Sequence, residues 1–171
     1  MARSLEQVLD EVARRGSWMG GGSAAALSAA LAAALLEKLT FQSREARALR
    51  EVRRACLRLI DQDAKTFARA IEALQFRRVG TFRRWLKVAT SVQEDVHQHA
   101  KMIQRVSRQA MGRVKPQFRS DLQCAIALAV AAQRSSQVLI RTNRAWLNHH
   151  RAALRVGTTP ASRRQPLRRR S

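Results

Sequence analysis

Three glycines and a serine, Gly20-Gly21-Gly22-Ser23, form the first segment of this chain that could serve chemistry. Consecutive glycines let the backbone turn sharply and approach another molecule closely, because no Cβ stands in the way. Ser23 is predicted to cap the helix that follows, whose first N–H groups lack partners within the helix. Such a terminus favours an anionic or strongly polar group. The alternative is a tight turn that lets a helix of small residues pack closely.

Carboxylates are the second group of candidates, because a carboxylate can accept and return protons. Asp61 and Asp63 lie inside a predicted helix, where Asp is a poor helix former. They either pair with a nearby Lys or Arg or face a ligand, and Asp63 is then the stronger candidate. Asp121 is the only acidic residue beyond Asp95. It either caps a helix or faces a site, and one carboxylate can do both.

The remaining chemistry-bearing residues do not indicate a metal site. His97 and His99 are two positions apart on a predicted helix, so they face different directions. Cys56 and Cys124 have no metal-type spacing. Trp18, next to the glycines, either packs in the core or stacks on a flat ring.

The elements that must position these residues are helices, since helical periodicity runs through almost the whole chain. The second helix and the first half of the fifth are apolar nearly all round, which is typical of central helices. We therefore predict an all-α protein, a helical bundle of about five helices with two central apolar helices. The predicted helices span about 5–15, 24–41, 44–76, 82–111 and 120–149. Residues 1–150 are predicted to form a single domain and residues 151–171 a basic, disordered tail.

The composition narrows the class of partner and the compartment. The 171 residues carry a formal net charge of +21, which favours anionic partners such as nucleic acid, a membrane surface or a polyanionic small molecule. The N-terminal residues do not have the pattern of a signal peptide. The apolar run 24–36 is short for a bilayer span. We therefore expect a cytoplasmic protein that is not associated with a membrane.

Three segments, taken together and in this order, resemble the cyclodeaminase/cyclohydrolase family. They are Met19-Gly20-Gly21-Gly22-Ser23-Ala24-Ala25-Ala26-Leu27, Asp61-Gln62-Asp63-Ala64-Lys65-Thr66-Phe67 and Ser120-Asp121-Leu122-Gln123-Cys124-Ala125-Ile126-Ala127. The family comprises the C-terminal half of formiminotransferase-cyclodeaminase and free-standing relatives that include methenyltetrahydrofolate cyclohydrolases. The resemblance covers about residues 4–148.

The resemblance implies an all-α, usually dimeric enzyme that acts on one-carbon folates. It would hydrolyse 5,10-methenyltetrahydrofolate or cyclise 5-formiminotetrahydrofolate with release of ammonia, using a carboxylate as proton shuttle. No metal and no cofactor beyond the tetrahydrofolate substrate is expected. The glycine segment would line a folate pocket that faces Asp121. The implied catalytic residues are Asp121 and Asp63, and the implied substrate-binding residues are Gly20, Gly21, Gly22, Ser23, Ser120 and Asp61.

The chain departs from the family pattern at four positions. Met19 replaces a Pro, Gln123 replaces a Gly, and Gln137 and Arg141 stand where the family has Asn. A second hypothesis is therefore a non-catalytic family member that binds nucleic acid or another polyanion through its arginines. The basic tail at 157–171 would contribute to that binding.

Overall fold

Five α-helices build the chain in a computed structural model, which describes residues 4–41 and 43–156, with side chains to residue 149. They are α1 Leu5–Ala13, α2 Gly21–Leu39, α3 Arg44–Gln75, α4 Val79–Ala110 and α5 Arg119–Val156, with a 3-10 turn at Pro116–Phe118 before α5. No strand occurs in these ranges. The predicted all-α bundle is therefore confirmed.

Helix α2 lies at the centre of the bundle and packs against α3, α4 and α5. Six of its nine buried positions are alanines, which let the neighbouring helices approach closely. The first half of α5 joins the same core through Leu122, Ala125, Ala129 and Ala132. The two apolar helices are thus central, as predicted. By length and composition alone α2 could also cross a membrane, but half of that stretch is buried inside the bundle.

The core-facing stripes of α3 and α4 contain buried polar residues. Three of them, Thr66, Thr90 and Ser107, donate hydrogen bonds to backbone carbonyls of their own helices. The other two are Asp63 on α3 and Gln93 on α4, and these two side chains are hydrogen-bonded to each other. Because burial of a polar side chain costs free energy unless it is hydrogen-bonded, Asp63 and Gln93 mark the part of the bundle that is not simply packing.

Several helix ends differ from the prediction. Helix α1 ends at Ala13, and Gly16 beyond it takes the positive φ of 84° that favours glycine. Helix α2 begins at Gly21, three residues earlier than predicted, since Gly20 is its N-cap. Helix α5 continues to Val156 instead of ending near residue 149. Residues 151–156 of the predicted disordered tail at 151–171 therefore belong to this helix, and residues 157–171 lie outside the described residues.

Candidate functional site

A cavity of about 230 Å³ lies where the N-terminus of α2 meets α3, α4 and α5. The glycine segment and the loop before it form one wall, and two residues from each of the three long helices form the others. The lining residues are Ser17, Trp18, Gly20, Gly21, Gly22, Asp63, Phe67, Ala89, Gln93, Leu139 and Asn143. The first two of the sequence motifs therefore meet at this cavity.

Asp63 is the one carboxylate among the described residues that line the cavity. Its side chain is buried, with the residue only 8% exposed. Gln93 Nε2 donates a hydrogen bond of 2.7 Å to Asp63 Oδ1. Ser23 Oγ lies 3.1 Å from the second oxygen, Oδ2. Among the described residues, the side-chain hydrogen-bond partners of Asp63 are the neutral donors Ser23 and Gln93. The alternative that Asp63 pairs with a Lys or Arg is therefore wrong.

The N-terminus of α2 is occupied by this same carboxylate. The backbone N–H of Ser23 hydrogen-bonds to Asp63 in addition to the Ser23 hydroxyl. The prediction that Ser23 is the N-cap is wrong: Gly20 holds that position without a side-chain hydrogen bond, and Ser23 lies in the first turn. The anion that the helix terminus attracts is thus supplied by α3 of the chain itself.

Two opposing effects act on the acidity of Asp63. Burial raises the pKa of its carboxyl above the ordinary value, since a charge is poorly solvated there, and this effect is the largest. The hydrogen bonds from Gln93 and Ser23 lower the pKa but do not cancel the burial. A carboxyl with a raised pKa can both take up and return a proton closer to neutral pH.

Ser23 suits either protonation state of Asp63. Its hydroxyl oxygen lies 3.0 Å from the carbonyl oxygen of Ile60 as well as 3.1 Å from Asp63 Oδ2. The single hydroxyl proton can point to the carboxylate, or it can point to Ile60 while the oxygen accepts a proton from the acid form. Neither state leaves Ser23 without a partner.

The glycine at position 22 is required by the closeness of Asp63 and Gln93. A Cβ at Gly22 would collide with Asp63 Oδ1 and with Gln93 Nε2. A Cβ at Gly21 would meet only Leu139, at an ordinary distance of 3.9 Å. Gly22 therefore allows the hydrogen-bonded pair to form against the backbone of α2, whereas the space beside Gly21 would admit a Cβ in contact with Leu139.

Aromatic side chains form one side of the cavity. Trp18, which is 44% exposed, meets the ring of Phe67 edge-on with centroids 6.5 Å apart. Phe67 in turn lies 6.5 Å from Trp146. Trp18 and Phe67 both line the cavity. Trp18 therefore packs against Phe67 through this edge contact, while the exposed part of its ring is available to stack on a flat ring.

The third sequence motif does not reach this cavity within one chain. Asp121 forms an ion pair of 3.1 Å with Lys38, at the opposite end of α2 from Gly22. Those two positions are sixteen residues apart on the helix, or about 24 Å along the axis. Ser120 is exposed beside Asp121. The prediction that the glycines face Asp121 is thus wrong for a single copy of the chain. Asp121 is also the third residue of α5 and does not hold the cap position.

Asp61 likewise stands apart from the cavity. It is half-buried on α3 but does not line the space that Asp63 lines. Residues two positions apart on a helix point in different directions, so the side chains of Asp61 and Asp63 lie on different faces of α3. Of the residues assigned from sequence, the structure brings together Gly20, Gly21, Gly22, Ser23 and Asp63.

Sequence reasoning missed Gln93 and Asn143, both buried and both lining the cavity. The available signal for Gln93 was a polar residue inside the apolar stripe of α4. Asn143 lies four residues after Leu139, which also lines the cavity. Residues four apart share a helix face, so this spacing on α5 could have indicated Asn143. Gln137 and Arg141, at the positions where the family has Asn, are exposed on another face of α5.

Comparisons with known proteins agree with this architecture. The family model described as formiminotransferase-cyclodeaminase matches residues 4–157. The crystal structure of formiminotetrahydrofolate cyclodeaminase from Thermotoga maritima is similar, with a TM-score of 0.78 and 23% sequence identity. The similarity covers 90% of this chain and 85% of that one. A search of curated proteins returned no match.

Proposed function

Because this chain belongs to the formiminotransferase-cyclodeaminase family, we propose that it is a one-carbon folate enzyme that converts 5-formiminotetrahydrofolate to 5,10-methenyltetrahydrofolate and ammonia. The observation that carries the proposal is the buried carboxyl of Asp63 at a cavity, held by Ser23 and Gln93. The description of the similar Thermotoga protein as a formiminotetrahydrofolate cyclodeaminase supports the choice of reaction.

The reaction needs one proton to move between two nitrogens. N10 of the substrate attacks the carbon of the protonated formimino group on N5, and a C–N bond forms. N10 then loses its proton, and the exocyclic nitrogen gains one. Collapse of the tetrahedral adduct breaks the bond to that nitrogen, so ammonia leaves and the positive charge stays on the methenyl bridge.

Asp63 is assigned the proton transfer. Its carboxylate accepts the proton from N10, and its acid form returns that proton to the departing nitrogen. The raised pKa suits both steps, since a strongly acidic carboxyl would hold the proton too weakly. Ser23 accommodates the change because its hydroxyl has two acceptors within reach.

The ionised carboxylate also stabilises positive charge. Both the protonated formimino group and the methenyl product are cations, and a carboxylate in a poorly solvated cavity attracts a cation more strongly than it does in water. Trp18 and Phe67 would flank the flat pterin ring, while the rest of the folate extends from the cavity. A cavity of about 230 Å³ suits the reacting end of the ligand and not its full length.

Two alternatives remain as proposals of lower rank. Hydrolysis of 5,10-methenyltetrahydrofolate would use the same carboxylate to activate water, so it differs in the product and not in the site. The non-catalytic hypothesis relies on the charge of +21, and predicts salt-sensitive nucleic-acid binding. A homodimer and a cytoplasmic location remain predictions from the resemblance and the sequence.

The test is ammonia release from 5-formiminotetrahydrofolate by the purified protein, with formation of the methenyl chromophore followed in parallel. Asp63→Asn should remove the activity, whereas Asp95→Asn removes an exposed carboxylate of α4 and serves as the matched control. Absence of ammonia release, with catalysed decay of the methenyl substrate, would favour the hydrolase. If neither ammonia release nor decay of the methenyl substrate is catalysed, and the protein binds nucleic acid in a salt-sensitive way, the proposal that it is an enzyme is overturned.

A further inference from the structure

One polar atom beside the cavity has no partner. Gln93 is 1% exposed, and its side-chain oxygen Oε1 is the buried atom for which the described residues provide no hydrogen bond. Buried acceptors are normally paired, because leaving one unpaired costs about 1–3 kcal/mol. Such an atom in a residue that lines a cavity indicates a donor on the ligand.

The orientation of this amide is fixed by Asp63. Gln93 Nε2 donates to the Asp63 carboxylate at 2.7 Å, so rotating the amide by half a turn would place two acceptors against each other. The amide is also confined by Gly22, whose missing Cβ leaves room for Nε2. Oε1 is therefore held as an acceptor next to a second acceptor, the carboxylate.

We propose that Gln93 Oε1 and Asp63 together form a recognition site for the N–H groups of an amidinium, and so select a 5-formimino over a 5-formyl substituent. The inference rests on the proposed folate substrate, and it identifies the substituent on N5 as the part of the substrate that the cavity recognises. A protonated formimino group carries N–H donors on a delocalised cation. A formyl group offers only an oxygen acceptor at the same place, and that oxygen would face two acceptors.

The chemistry gives Gln93 a positioning role and not a proton-transfer role. By accepting a hydrogen bond from the exocyclic nitrogen, Oε1 would hold that nitrogen beside the carboxyl that protonates it. Sites that hydrogen-bond a substrate donor reject analogues without the donor, because the site's own buried groups are then left unpaired.

The experiment compares two folates that differ only in this substituent. The KM for 5-formiminotetrahydrofolate and the inhibition constant for 5-formyltetrahydrofolate are measured for the wild-type protein, for Gln93→Met and for Gln98→Met. Methionine keeps the approximate length of glutamine but lacks both the Oε1 acceptor and the Nε2 donor to Asp63. Only the loss of the acceptor distinguishes the formimino ligand from the formyl ligand. Gln98 is exposed on the same helix and is the matched control.

For the wild type we expect the formimino ligand to be favoured by about tenfold or more. In Gln93→Met the KM for the formimino substrate should rise by about tenfold while the inhibition constant of the formyl ligand changes less than about threefold. A merely structural defect would weaken both ligands together, and that result would overturn the assignment of Gln93.

The wild-type comparison stands even if the variant does not fold. Equal or tighter binding of the formyl ligand by the wild-type protein would overturn the inference on its own. If the wild type releases no ammonia at all, the proposed function fails and the inference fails with it. Ammonia release with no preference between the two ligands overturns the inference alone.

Discussion

Ser23 and Asp63 are joined by a hydrogen bond of 3.1 Å between Oγ and Oδ2, although forty positions separate them in the chain. This contact brings the glycine segment at the start of α2 against the middle of α3. It also puts a buried carboxyl at the positive end of the central helix, where N–H groups favour its anion while burial favours its acid form. The balance between those effects underlies the predictions below.

The first prediction concerns stability and pH. Because the pKa of Asp63 is raised in the folded chain above its ordinary value of 3.8, the folded state binds this proton more tightly than the unfolded state. The contribution of Asp63 to the free energy of unfolding is therefore fully present below that value and is lost as the pH rises through the raised pKa. Asp63→Asn keeps an acceptor for Gln93 and does not titrate.

The Tm of Asp63→Asn minus the Tm of the wild type should therefore increase as the pH rises from about 4 to about 8. Thermal melts followed by circular dichroism measure this difference, and Asp95→Asn controls for the loss of one negative charge. A relative Tm that stayed flat or fell over the same range would show that burial does not dominate the acidity of Asp63.

The second prediction compares two adjacent glycines. Gly22→Ala should destabilise the chain by about 1–3 kcal/mol and displace the pair of Asp63 and Gln93, because the new Cβ collides with both. Gly21→Ala should keep the fold, since its Cβ meets only Leu139 at an ordinary distance. Denaturant unfolding of both variants is the measurement, and equal losses would contradict the close packing described at position 22.

The third prediction concerns the aromatic wall. Trp18→Ala should raise the KM for the folate by about tenfold with a smaller change in kcat, because a stacking surface contributes to binding and does not enter the chemistry. Trp85→Ala is the control, since Trp85 stacks with Arg69 and Arg84 and does not line the cavity. A fall in kcat alone for Trp18→Ala would exclude a binding role.

The fourth prediction separates the two candidate carboxylates. Asp121 is paired with Lys38 near the surface, so Asp121→Asn should change the free energy of unfolding by less than about 1 kcal/mol. We expect its rate of ammonia release to stay within about threefold of the wild type. A loss as large as that of Asp63→Asn would mean that Asp121 reaches a substrate through a second copy of the chain.

The fold followed from the sequence because it depends on periodicity and composition. The all-round apolar character of α2 predicts a central helix, and that is where it lies. The start of α2 was predicted three residues late, because Ser23 is a stronger statistical cap than glycine. Its hydroxyl is instead used by Ile60 and Asp63, and only the packing of α3 against α2 reveals those partners.

The site was less predictable, because a motif does not tell which end of a bundle a residue occupies. The sequence favours Asp121 over Asp63 as the proton-transferring carboxylate, yet only Asp63 lies at the glycine segment. Gln93 and Asn143 were missed because a single polar residue in a long helix has no local pattern of its own. Their importance comes from the contacts of four helices that converge on one cavity.

The most direct test of the proposed function is the rate of ammonia release from saturating 5-formiminotetrahydrofolate by the wild-type protein and by Asp63→Asn. We predict catalysed release by the wild type, matched by an equal amount of methenyl product, and a fall of about 100-fold or more in the folded variant. A folded Asp63→Asn protein that released ammonia at the wild-type rate would contradict the assignment of Asp63 as the proton shuttle.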